Sequence, residues 1–162
     1  AAIIHPVVTL VDMDASLWRD VIEMNLTSTA MVMKAVLPSM IANRSGRIIN
    51  ISSIGGRKGA KGRSAYRAAK AGVINLTESV AAEVKQYGID VNCICPGGVD
   101  TEGFREAFGS RGRADDPTLI RPAEIAQLAV FLASEASSSG LPCVPPSTST
   151  ISSASRQRKS TK

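Results

Sequence analysis

Two short runs, GRIINISS at residues 46–53 and IDVNCIC at residues 89–95, restrict the fold more than anything else in the chain. The first is rich in isoleucine and introduced by glycine, and the second is stopped by Pro96-Gly97-Gly98. Both read as short buried strands. Between them, SAYRAAKAGVINLTESVAAEVKQYG is rich in alanine and good helix formers, and it ends at Gly88, which suits a helix C-cap. Strand, helix and strand in succession require a crossover connection, so the two strands run parallel in an α/β layered fold.

Before the first strand, residues 16–42 carry Trp18, Ile22, Leu26, Ala30, Met33 and Val36 at spacings of three and four. That spacing predicts a long amphipathic helix, with a disturbance near Pro38. After the second strand a polar segment, residues 101–119, precedes RPAEIAQLAVFLASEA. There the spacing of Ile125, Leu128, Ala129 and Leu132 predicts a helix begun near Pro122. IGGRKGAKGR reads as a loop, because so many glycines are costly inside a helix. Arg57, Lys58, Lys61 and Arg63 are expected to sit there in solvent.

Residues 1–136 form one domain on this reading. Residues 137–162 form a second unit, a basic tail in which Ser and Thr supply 12 of 26 positions. Such a composition offers little apolar surface to offset the entropy of ordering, and the tail is expected to be disordered. It also carries Arg156, Arg158, Lys159 and Lys162 with no acid, so the net charge of +5 reduces to 15 cations against 14 acids elsewhere. A nearly neutral body argues against nucleic acid as a partner. No apolar run reaches the roughly 18–20 residues of a membrane span, and the N-terminus has no basic region ahead of a hydrophobic segment, so a cytoplasmic location is expected. Cys93, Cys95 and Cys143 form no disulfide framework, and with His5 alone they make a poor metal site.

Tyr66 and Lys70 stand four apart, on one helix face. An ammonium fixed near a phenol favours the phenolate, which makes the tyrosine a usable general acid or base near neutrality. Alone, the pair is weak evidence, because tyrosine and lysine four apart on a helix are more often an ordinary surface contact. Ser53 at the end of the first strand and the Pro96–Thr101 turn at the end of the second add to it, because open α/β sheets bind ligands at the carboxyl ends of their strands.

Taken in order, MNL with Asn25, GRIINISS with Ser53, Tyr66-x-x-x-Lys70, CPGGVDT and RPAEIAQLAVFLASEAS resemble the short-chain dehydrogenase/reductase family over about residues 1–138. The resemblance implies part of a Rossmann-like, doubly wound parallel sheet in three αβα layers. It implies an NAD(P)-dependent oxidoreductase acting on a ketone or secondary alcohol, with a 3-oxoacyl thioester among the candidate substrates. Tyr66 would then be the acid/base, Ser53 the holder of the substrate oxygen, and Asn25 the holder of a relay water. Lys70 would bind the nicotinamide ribose and tune Tyr66. Pro96, Gly97, Gly98, Val99 and Thr101 would lie against the cofactor, NAD or NADP. Helices 16–42 and 65–87 match those through which the family pairs its subunits, so a homo-oligomer is expected.

The family's glycine-rich G-x-G-x-x-G fingerprint is absent from this sequence, and so is the selector that separates NAD from NADP. Ala1-Ala2 matches the end of the family's Asn-Asn-Ala-Gly turn. The serine-rich tail stands where the family has a last strand, and a truncated gene with a shifted reading frame would produce both ends. An inactive fragment serving only as an oligomerisation module is therefore the competing expectation.

Overall fold

A computed structural model describes residues 2–109 and 118–137, so the tail beyond Ser137 lies outside the described residues. The element order is α1 (Ala15–Ile22), α2 (Ser28–Asn43), β1 (Gly46–Ile51), α3 (Ser64–Val84), β2 (Ile89–Ile94), α4 (Glu102–Phe108) and α5 (Pro122–Ala133). β1 and β2 pair in parallel, from Gly46 opposite Ile89 to Ile51 opposite Ile94. The pairing continues past both strand ends, where the Ser52 N–H donates to the Ile94 carbonyl at 2.8 Å and the Ile54 N–H to the Pro96 carbonyl at 2.8 Å. This continuation carries Ser53 and the Pro96–Gly97 turn to the same edge.

Side chains alternate across a strand, so β1 and β2 have two faces. Ile48, Ile89 and Val91 form a core with Met33 of α2 and with Val80 and Val84 of α3. Burying each such side chain contributes roughly 1.5–3 kcal/mol relative to leaving it exposed. The opposite face carries Ile51, which shares a cavity with Pro122 and Ile125 of α5. α2 and α3 thus cover one side of the sheet and α5 the other, a three-layer αβα order.

α3 follows its sequence pattern closely. Ala65, Ala69, Val73, Thr77, Val80 and Val84 are buried at helical spacing, and the chain leaves through Gly88 at φ 70. α2 ends at Arg44, also left-handed at φ 49. Its guanidinium donates to the Gln86 carbonyl at 3.0 Å and ties the two helix ends together.

The helix expected over residues 16–42 is present, but its irregularity is elsewhere. Pro38 lies inside α2 without ending it. Proline offers no N–H to the carbonyl of Lys34, and Lys34 is an exposed residue, so the missing bond falls on the solvent side of the helix. The irregularity is a π-helical turn at Glu23–Thr27 between α1 and α2. Its extra residue shifts the buried stripe: Val21, Asn25 and Met33 are buried and Leu37 packs on the core, while Val36 is exposed. Trp18, Ile22, Leu26 and Ala30 are only half-buried.

Two other elements differ from expectation. The polar segment contains α4, begun by Thr101, whose hydroxyl accepts from the Phe104 N–H at 3.2 Å. Phe104 and Phe108 stack one turn apart with ring centroids 4.6 Å apart. α5 begins at Pro122 as expected, with the Glu124 carboxylate accepting from the Arg121 N–H at 2.8 Å. Its stripe is not fully covered: Ile125, Ala129 and Leu132 are half-buried and Leu128 is exposed, where α5 packs against β1. No helix among the described residues is long and apolar enough to cross a membrane.

A buried polar contact in the middle of β1 helps to join the layers. Asn50 Nδ2 donates to Thr77 Oγ1 at 2.9 Å, and Thr77 Oγ1 donates to the Val73 carbonyl at 2.7 Å. Replacing Thr77 with valine keeps the volume and leaves Asn50 Nδ2 with only the Met33 sulfur, 3.2 Å away and a weak acceptor. Chemical denaturation of Thr77→Val should therefore show a loss of about 1–3 kcal/mol; unchanged stability would contradict it.

Candidate active site

The end of β1 is locked to α3 by two reciprocal hydrogen bonds. Ser52 Oγ donates to the Lys70 carbonyl at 2.7 Å, and Lys70 Nζ donates to the Ile51 carbonyl at 3.1 Å. Both residues are buried, with Lys70 only 6% exposed. Gly56 makes the approach possible, since a Cβ on it would lie 2.7 Å from the Lys70 carbonyl carbon and oxygen. Backbone cannot yield to such a clash, so only glycine fits there.

Beside this lock, Ser53 and Tyr66 face one another across Gly55. Ser53 Oγ accepts from the Gly55 N–H at 3.0 Å. A Cβ on Gly55 would lie 3.2 Å from Ser53 Oγ and 3.6 Å from Tyr66 Cε1. The ammonium of Lys70 is 5.9 Å from the centre of the Tyr66 ring, as their helical spacing predicts. Burial lowers the pKa of Lys70 from its ordinary value, and the Cys93 and Cys95 sulfurs oppose that shift. Those sulfurs lie 3.9 Å apart. Burial, followed by Cys95, pushes the Cys93 thiol up to about 11.

Ser53, Tyr66 and Lys70 line a cavity of about 370 Å³ with Pro96, Gly97, Val99 and Thr101 from the end of β2. Apolar walls come from Ile4, Ile51, Phe104 and Ile125. The β2 turn is braced from outside by residues 118–120. Val99 bridges Ile120, and the Asp100 N–H donates to the Ile120 carbonyl at 2.9 Å.

Two of the residues singled out in the sequence do not line this cavity. Gly98 packs under the brace: its carbonyl accepts from the Ile120 N–H at 2.8 Å, and a Cβ there would lie 2.8 Å from Leu119 Cδ2. Asn25 is 2% exposed in the π-helical turn. Its Oδ1 accepts from the Ile3 N–H at 3.1 Å, and its Nδ2 donates to the Ile3 and Val21 carbonyls at 3.0 and 2.9 Å. Asn25 therefore clamps Ile3, whose neighbours Ala2 and Ile4 form cavity wall.

The loop between Ser53 and Tyr66 corrects one further expectation. Arg63 is buried, not solvated. Its guanidinium bonds the His5 and Ala107 carbonyls and lies 4.8 Å from the centre of the Phe108 ring. Desolvation lowers its pKa. His5 had no role in the sequence reading, yet it is buried with its Nε2 3.4 Å from the Tyr66 N–H. Nothing local in the sequence places it there, because the contact spans 61 positions.

The family model for short chain dehydrogenases matches residues 1–111. The chain belongs to the short-chain dehydrogenase/reductase family. It is 40% identical to dehydrogenase/reductase SDR family member 6 of Rattus norvegicus, over 84% of this chain and 61% of that protein. A 3-oxoacyl-acyl-carrier-protein reductase from Brucella melitensis, solved with bound NAD, superposes with a TM-score of 0.73 at 31% identity, over 86% of this chain and 54% of that one. ElxO, solved with NADP bound, superposes at 0.74 with 30% identity, over 83% of this chain and 57% of that one. The fold is thus Rossmann-like, and the chain spans little more than half the length of these short-chain dehydrogenase/reductase relatives.

The raised thiol gives a direct test of the packing around Lys70. With its value at about 11 in place of an ordinary 9.0, Cys93 holds about 100-fold less thiolate at pH 8 than an unfolded cysteine. Alkylation of Cys93 by iodoacetamide at pH 8 should be slower in the native chain by that order. The native chain keeps this proton between 9.0 and about 11 while the unfolded chain loses it, so its contribution to stability falls as pH rises through that window. Equal labelling of native and unfolded chains would contradict the burial of this face.

Proposed function

We propose that this chain carries the proton-handling half of an NAD(P)-dependent carbonyl reductase site. One observation carries the reading: Ser53, Tyr66, Lys70 and the Pro96–Gly97 turn line one cavity at the carboxyl ends of two parallel strands. Ligands of open α/β sheets bind at that edge.

The Tyr66 hydroxyl gives its proton to the carbonyl oxygen in reduction and takes one from the alcohol in oxidation. Ser53 Oγ accepts one backbone N–H and still has a proton to donate, so it holds the same oxygen against Tyr66. Lys70 uses one ammonium hydrogen on the Ile51 carbonyl. Its ammonium stays beside the phenol, 5.9 Å from the centre of the Tyr66 ring. A nicotinamide bound beside these residues supplies the hydride in reduction or accepts it in oxidation. The residues present fit the nicotinamide end of NAD or NADP: at Gly97 the nearest atom to an added Cβ is Ile120 Cδ1, 3.9 Å away, which leaves the turn open to close approach. The apolar wall of Ile4, Ile51 and Phe104 suits the carbon chain of a ketone, including a 3-oxoacyl thioester.

A second reading rests on a separate observation. Met31, Val32 and Val36 are exposed on α2, with Val32 at 63%. Adjacent apolar side chains left in solvent suit self-association, whether or not the chain turns over substrate.

Each reading has its test. Tyr66→Phe should lower turnover of a ketone substrate at least about 100-fold while titration with NADH or NADPH shows unchanged binding; near-normal turnover would remove Tyr66 from the acid role. Val32→Glu should lower the sedimenting mass at equal protein concentration, and an unchanged mass would count against association through α2.

A further inference from the structure

The first turn of α3 is poor in caps. Arg63 stands at the N-cap, and its side chain gives the helix no hydrogen bond. An α-helix begins with four backbone N–H groups that lack partners within it. One of these belongs to Tyr66, and it donates to His5 Nε2 at 3.4 Å. The other ring nitrogen, Nδ1, lies 2.6 Å from the Pro6 carbonyl oxygen. A carbonyl can only accept and a backbone N–H can only donate. Both contacts therefore hold together only when the ring proton sits on Nδ1 and Nε2 keeps its lone pair.

His5 is held in that place from several sides. It is 1% exposed, and its own carbonyl accepts from the Arg63 guanidinium. Three residues further on, the Val8 N–H donates to the Gly62 carbonyl at 3.2 Å. Gly62 has φ 70, and a Cβ there would lie 2.5 Å from Val7 Cγ1, so the two segments lie closer than a side chain would permit. Residues 5–8 run along residues 62–66 and are fastened at both ends of that contact.

We propose that His5 is a positioning residue for Tyr66: its imidazole caps the first turn of α3 and so sets where the phenol stands relative to Ser53. The proposal rests on the acid/base reading of Tyr66. The hydrogen bond itself can be measured without turnover.

The test is residue-resolved amide hydrogen exchange on the full chain and on three variants. His5→Gln puts an amide oxygen near the position of Nε2, His5→Asn reaches only to about the depth of Nδ1, and His5→Ala removes both. The Tyr66 amide should exchange at least tenfold faster in His5→Ala and His5→Asn and at close to the original rate in His5→Gln, with Ile48 and Val91 protected throughout. Turnover should follow the same order through kcat with KM unchanged. An unchanged Tyr66 exchange rate in His5→Ala would overturn the proposal. Should His5→Ala lose protection in the core strands as well, the other two variants decide: recovery in His5→Gln alone supports it, and equal loss in both overturns it. If Tyr66→Phe keeps its turnover while His5→Gln restores slow exchange, the acid role fails and the cap stands.

Discussion

The site depends on the lock between α3 and the end of β1. Lys70 gives an ammonium hydrogen to the Ile51 carbonyl and receives the Ser52 hydroxyl on its own carbonyl. A buried ammonium is costly unless its hydrogens are satisfied, and the first of these bonds satisfies one while fixing the direction of the side chain. Because Tyr66 is one turn earlier on the same helix, fixing Lys70 also fixes the phenol. Gly56 and Gly55 let the loop pass close enough for Ser53 to join them.

Around that lock the remaining parts act as supports of different kinds. Parallel pairing carries β1 and β2 to one edge, and their ladder continues to Ile54 and Pro96. Asn25 holds Ile3, and through it the wall formed by Ala2 and Ile4. Arg63 spends a buried guanidinium on two carbonyls, those of His5 and Ala107, and so joins the N-terminal segment to α4. None of these supports requires Asn25 or Arg63 to touch a substrate.

Much of this was legible from the sequence, for reasons that differ by element. α3 and both strands could be read because their patterns are local: alanine-rich helical spacing, isoleucine-rich runs and a terminal Gly88. Tyr66 and Lys70 could be placed together because four residues make one turn. The π-helical turn could not be read, because one extra residue in an otherwise helical stretch changes which face is buried without changing the composition. α4 was hidden in a polar segment, although Thr101, Phe104 and Phe108 carry its cap and its stack. The burial of His5 and Arg63 was out of reach, since each depends on contacts across more than forty residues of chain.

On the proposed reading the Gly97 turn, with Val99 and Thr101 beside it, takes the nicotinamide end of the cofactor. Reduced nicotinamide mononucleotide added to the ¹⁵N-labelled chain, with the amide resonances followed, checks that placement. Saturable shifts are expected at Gly97, Val99 and Thr101, with little change along Arg57–Ala60. Shifts confined to that loop, or none at concentrations that saturate a complete relative, would contradict it.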